Sequence, residues 1–278
     1  MKKLLIIACL GFVLIGEVDA QGLKTPAPSP AQTVKQDFAL STVELSYSRP
    51  AKRGRTIYGD LVPYGKVWRT GANNATTLTF GEEVTIGEKK IPAGKYGLLT
   101  IPGQNEWTII ISKQTDVTSP AAYKQDQDVV RLTAKANQLP FSVETFMIGF
   151  DQITSNSMDI FIIWDNVEVA FPVTSDVDSK VMAQIDNMMN KDNRPYFNAA
   201  MYYMENGKDM NKALDWINKA IEQNPNAFWV HHQKANALAK LGRKQEAIAA
   251  ANKSIELAKA AKNDDYVALN EKLLKTLK

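Results

Sequence analysis

Near Ser175 the spacing of apolar residues changes from every second position to every third or fourth, so one chain must build two kinds of core. Upstream, Val43, Leu45 and Tyr47 alternate with Thr42, Glu44 and Ser46, as a half-buried strand requires. Runs of the same kind follow at 76–80, 96–101, 107–112, 129–133, 142–150, 158–164 and 167–173. They are punctuated by Gly87-Glu88, Pro92-Ala93-Gly94, Pro102-Gly103 and Asp165-Asn166. Asp165-Asn166 is read as a two-residue hairpin turn, because both residue types tolerate positive φ. Short strands with no helices between them predict an antiparallel β-sandwich or barrel over 38–174.

Downstream, Val177, Val181, Ile185 and Met188 step by three or four, and the composition shifts to Ala, Lys, Asn, Leu and Glu. Displacing the chain by 34 residues aligns Ala213-Leu214 with Ala247-Ile248 and residues 218–222 with 252–256. With Pro225 closing the first unit and Gly242 in the turn of the second, residues 194–262 resemble tetratricopeptide repeats. His231 stands where that pattern prefers a large residue, and Met201 where it prefers a small one. A capping helix is expected over 265–277. The predicted fold is therefore an all-β domain followed by an α-helical tetratricopeptide-like domain over 175–278. Two repeats are few for a free-standing solenoid.

The first twenty residues read as a secretory signal. Lys2 and Lys3 precede an apolar stretch over 4–15, and Val18-Asp19-Ala20 predicts cleavage after Ala20. No later stretch approaches the roughly 18–20 apolar residues of a membrane span. Cys9, the single cysteine, follows Ile6-Ile7-Ala8 and loosely resembles a lipoprotein processing site, but the apolar core continues past it. The expectation is an exported chain, periplasmic or at the cell surface, whose mature form lacks cysteine and with it disulfides and thiolate chemistry. The signal carries two basic and two acidic residues, so the mature net charge stays at +3, which predicts no general affinity for nucleic acid. Residues 21–37, polar and rich in Pro, Thr, Ala and Gln, are expected to be a flexible lead-in.

Arg49-Pro50, the stretch from Arg55-Thr56-Ile57-Tyr58-Gly59 through Trp68-Arg69-Thr70-Gly71-Ala72-Asn73-Asn74-Ala75-Thr76, then Ile91-Pro92-Ala93-Gly94-Lys95-Tyr96 and Trp107, resemble the bacterial domain-of-unknown-function 2911 family. The resemblance covers most of residues 40–173. It implies an exported β-domain, often followed by helices, and implies no reaction.

Between 49 and 69 stand Arg49, Lys52, Arg53, Arg55, Lys66 and Arg69 against one acid, Asp60, with Tyr58, Tyr64 and Trp68 interleaved. Guanidinium groups pair carboxylates and phosphates, and aromatic faces stack on sugars or organic anions. Gly59, Gly65 and Gly71 would let backbone amides approach a ligand. These features make Tyr64, Lys66, Trp68, Arg69, Asn73 and Asn74 a candidate anion or glycan site; the competing reading is a solvated basic loop with its aromatics in the core. On a strand, Trp68 would face inward and Arg69 outward. Residues 228–240 offer a second site: Trp229, His232, Asn236 and Lys240 share a helix face, with Asn198 and Tyr202 matching His232 and Asn236 one repeat earlier. Such a face lines the peptide groove of tetratricopeptide repeats, so an envelope protein or peptide is the expected partner. The competing reading packs Trp229 against a neighbouring helix and leaves the other polar side chains in water.

Enzyme signatures are sparse. Both histidines, His231 and His232, lie in the helical region, and there is no zinc-ligand spacing, nucleophile elbow or phosphate-binding Gly-Lys loop. No cofactor is expected. The reading is an exported binding or assembly protein. The alternative is a carboxylate-dependent hydrolase of envelope glycans, for which Asp60 and Glu106 would be an acid pair.

Overall fold

The structure, a computed structural model, describes residues 25–191 and 194–277. The expected export signal and Cys9 lie outside the described residues. The chain divides into two compact units, with the break between Ser175 and Asp176.

The first unit is one antiparallel sheet of nine strands that is not closed. Its strands are β1 (Ala31–Phe38), β2 (Ser41–Ser48), β3 (Thr77–Phe80), β4 (Val84–Ile86), β5 (Lys89–Ile91), β6 (Gly94–Ile101), β7 (Glu106–Ser112), β8 (Asp128–Asp151) and β9 (Ser157–Thr174). Their order across the sheet is β1-β2-β3-β6-β7-β8-β9-β4-β5. Alternation decides which face is inside: Val43, Leu45 and Tyr47 of β2 are buried, as the period predicts. Strands β6 and β7 are apolar on both faces for a reason. Leu98, Trp107, Ile109 and Ile111 enter the main core, while Leu99 and Ile110 meet Val117 and Tyr123 of the following segment in a small second cluster.

The sheet coils until β2 faces the far half of β8. The Tyr47 hydroxyl accepts from the backbone amide of Ile148 at 3.1 Å and donates to its carbonyl at 3.0 Å. Ala51, just beyond β2, bridges Thr145 in antiparallel fashion, with Lys52 N donating to Glu144 O and Phe146 N to Pro50 O. Tyr47, Trp68, Trp107, Phe146 and Trp164 consequently meet in one aromatic cluster.

Three expectations are corrected. Asp165-Asn166 is not a hairpin turn, because residues 157–174 form the single strand β9. Asp165 has φ +53° there, and the buried positions shift from Trp164 to Val167 opposite a register irregularity in β8, so the pair sits at a bulge in the ladder and both halves of β9 face the core. The runs at 129–133 and 142–150 likewise belong to one strand, β8, with register irregularities after Gln138 and Val143. The lead-in enters the sheet: β1 pairs with β2 along its whole length, and Pro28, Ser29 and Pro30 accept hydrogen bonds from Arg53, Asn73 and Arg49. An edge strand is paired on one side only, so β1 tolerates a polar sequence whose one fully buried side chain is Phe38.

The second unit comprises α1 (Val177–Met189), α2 (Tyr196–Glu205), α3 (Met210–Gln223), α4 (Phe228–Lys240), α5 (Lys244–Ala260) and α6 (Asp264–Thr276). Asp176, Asp209 and Asn263 cap α1, α3 and α6 through their side chains. The core is built largely of alanine, with Ala200, Ala213, Ala235, Ala237, Ala247 and Ala251 fully enclosed around Leu214, Ile217, Val230 and Leu238. No helix among the described residues is long and apolar enough to cross a membrane.

Candidate functional site

Residues 63–75 do not form a strand; they are turns and bends with a single bridge from Trp68 to Thr100. Strand alternation therefore does not separate Trp68 from Arg69, and both line one cavity of about 520 Å³, a size suited to a small ligand. The expectation that they point to opposite sides is corrected.

The floor is aromatic. The Trp68 and Trp164 rings lie 6.1 Å apart and 17° from parallel, and Phe146 meets both edge-on. Both indole nitrogens are satisfied by backbone, Trp68 Nε1 donating to Gly71 O at 3.1 Å and Trp164 Nε1 to Glu144 O at 3.2 Å. The rings are thus fixed in orientation. Pro50, Val62, Pro63 and Val67 continue the apolar lining.

Three cations border this floor: Arg55, Lys66 and Arg69. Arg55 is oriented by backbone, with Nε donating to Lys52 O and Nη2 to Ala51 O. Arg69 donates from Nη1 to Thr118 O, while its Nε is buried without a partner. Among the described residues, no ion pair or hydrogen bond involves the Lys66 ammonium, and none of the three cations pairs with a carboxylate. No acidic side chain lines the cavity. Arg55 and Lys66 are exposed and Arg69 is half-buried, so the cluster presents cationic donors with no competing carboxylate, the arrangement that charge-assisted pairing with an anion requires.

Backbone strain supports the wall. Thr70 is buried at φ +55°, an outlier for a β-branched residue. It is held by a 3.1 Å hydrogen bond between its hydroxyl and that of Thr100, and by Thr76 Oγ1 donating to its carbonyl at 2.6 Å. Gly71 follows at φ +150°, where a Cβ would sit 3.1 Å from Ser48 O. Strain of this kind persists where surrounding contacts over-determine it.

Of the six residues expected here, Lys66, Trp68 and Arg69 come together. Tyr64 is exposed, with its ring packed over Gly59. Asn73 shapes the turn at φ +57° and anchors Ser29 through a 3.0 Å bond to its carbonyl. Asn74 is exposed and does not line the cavity. Sequence reasoning missed Arg55, Ser29 and Trp164. Arg55 was visible in the basic run, whereas Ser29 and Trp164 arrive only when the sheet coils.

The helical candidates are dispersed. His232 is buried, with Nδ1 bonded to Asn270 Oδ1 at 2.9 Å and Nε2 to Asn236 Nδ2 at 3.1 Å. Asn270 in turn donates to Ser254 Oγ, whose hydroxyl donates to Phe228 O. This network joins α4, α5 and α6, so His232 packs a capping helix and is not offered to a peptide. Asn236 and Lys240 line a hollow with Met201, Met204, Glu205 and Leu273. Asn198 and Tyr202 line a different one against α1, and the Tyr202 hydroxyl donates to Asp178 at 2.9 Å. Burial and that carboxylate push the Tyr202 phenol up to about 12. Trp229 is partly exposed, its ring edge-on to Phe228.

Residues 29–173 match the family described as protein of unknown function (DUF2911), and the chain belongs to that family. Two tetratricopeptide repeat models match residues 194–227 and 216–249. No curated protein matches the chain.

Proposed function

We propose that this member of the DUF2911 family is an exported binding or assembly protein. Its tetratricopeptide repeats suggest a protein-interaction module, and an envelope protein or peptide is the partner class that fits an exported chain. The β-unit binds an anionic or glycan-like ligand in the cavity over Trp68 and Trp164. The observation that carries this reading is the convergence of Arg55, Lys66 and Arg69 on an aromatic floor with no carboxylate among the lining residues. Export rests on the charged, apolar and small-residue segments of the first twenty positions.

The hydrolase alternative requires two carboxyl groups facing one another across a cleft. Asp60 and Glu106 are exposed, and neither lines this cavity, so the geometry favours binding over carboxylate catalysis.

The test uses protein recovered from the cell envelope, where intact mass is expected to show a chain beginning at Gln21. A thermal-shift screen of sugars, phosphates and carboxylates against this protein is expected to yield a ligand whose effect disappears in Arg69→Ala. A screen with no shift in the wild type would remove the ligand-binding reading.

A further inference from the structure

We infer that the cavity over Trp68 and Trp164 selects a small molecule with a flat apolar body and a doubly charged acidic head, and discriminates against neutral glycans. The inference rests on the ligand-binding reading above and narrows it to one chemical class.

The argument is a balance of donors and acceptors. The polar side chains lining the cavity are Ser29, Arg55, Lys66 and Arg69. Arginine and lysine donate and do not accept. The carbonyls of Ala51, Lys52 and Thr118 already receive the guanidinium N–H groups of Arg55 and Arg69. Each hydroxyl of a neutral sugar is both donor and acceptor, and enclosing several of them here would leave donors with Ser29 Oγ as the one accepting side chain. No Asp, Glu, Asn or Gln lines the cavity to take them. A phosphate dianion or a pair of carboxylates only accepts, and it meets three cations free of carboxylate partners. Charge-assisted bonds of this kind are about twice as strong as neutral ones.

The apolar half sets the remainder of the ligand. The half-buried Trp68 offers a ring fixed in orientation and backed by the buried Trp164, and Pro50, Val62, Pro63 and Val67 add no polar side chain. An inorganic anion would fill the cationic rim and leave this surface wet. A ring attached to the anion covers it, which is expected to tighten binding about tenfold or more for the apolar area removed from water.

Fluorescence titration of the full chain tests this, since Trp68, stacked on Trp164, lines the cavity and its emission responds to a ligand seated there. The probes are phenyl phosphate, phthalate, inorganic phosphate, benzyl alcohol and N-acetylglucosamine, with the first two separating a phosphate head from a dicarboxylate. Saturable binding is expected for phenyl phosphate or phthalate, about tenfold weaker binding for inorganic phosphate, and none for the two neutral probes. Binding is expected to weaken about tenfold or more in Lys66→Gln and in Arg69→Ala, with partial recovery in Arg69→Lys. Lys66 is exposed, so its variant remains informative if the arginine variants fold poorly. Saturation by N-acetylglucosamine with no response to the anions would overturn the inference and leave the ligand-binding reading standing. Anion binding unchanged in Lys66→Gln and Arg69→Ala would place the anion elsewhere and sink the inference, while silence from every probe would sink both.

Discussion

The two units of this chain bury their cores with opposite materials. The β-unit closes on large rings, with Trp107, Trp164, Phe80, Phe146 and Phe171 as its bulkiest fully buried side chains. The helical unit closes on small ones, with alanine at the helix crossings of α2 to α5. A coiled sheet leaves a wide interior filled by long side chains, whereas the repeat helices place alanine between larger residues such as Leu214, Ile217 and Leu238, and the enclosed alanine sites have no space for a longer side chain. The two cores should therefore fail in opposite directions.

The strongest attack on this contrast is truncation in the β-unit. Trp164→Ala removes a fully buried ring that contacts both Trp68 and Phe146, and is expected to destabilise the unit by about 3–5 kcal/mol. Denaturant melts followed by near-ultraviolet circular dichroism check it. A loss below about 1 kcal/mol would mean that the aromatic cluster does not set the core.

Enlargement is the matching attack on the helices. Ala235→Leu forces three extra carbons into a site with no exposed surface, and is expected to cost about 1–3 kcal/mol. Helical melting at 222 nm reads this. If the leucine were neutral or stabilising, the alanine core would be loosely packed and the contrast would lose half its basis.

The smallest effect concerns a polar clip that helps the β9 bulge hold its shape. Asp165 accepts from Lys52 at 2.6 Å and from Ser142 at 2.7 Å. Burial pushes its carboxyl up, but these bonds and the Lys52 charge outweigh burial and hold it below the ordinary carboxylate range. A carboxyl depressed in the folded state contributes stability above its unfolded value, near 4, and that contribution fades as the pH falls through the lower folded value. Asp165→Asn is accordingly expected to cost about 1 kcal/mol at pH 7 and progressively less below about pH 4. Thermal melts of both proteins at pH 7 and pH 3 sharpen the comparison, and a difference that grows on acidification would contradict the clip.

The division between what was legible and what was not follows the range of the interactions. Period two in Val43, Leu45 and Tyr47, the later step of three or four, and the 34-residue repeat are consequences of local backbone geometry, so the strand and helix regions could be read directly. The basic run around Arg55, Lys66 and Arg69 was legible as chemistry for the same reason. Asp165-Asn166 was misread because positive φ serves a bulge as well as a turn, and only pairing with β8 distinguishes them. β1 escaped because an edge strand needs few apolar side chains. His232 stood at groove spacing, yet Asn270 on α6 claimed it through a contact that helix periodicity does not encode. The sequence by itself determined the two architectures, a β-rich unit followed by helical repeats, because each follows from a local period. Tertiary structure alone decided that Trp164 and Ser29 would join Trp68 and Arg69, because coiling of the sheet brings together side chains that no local period relates.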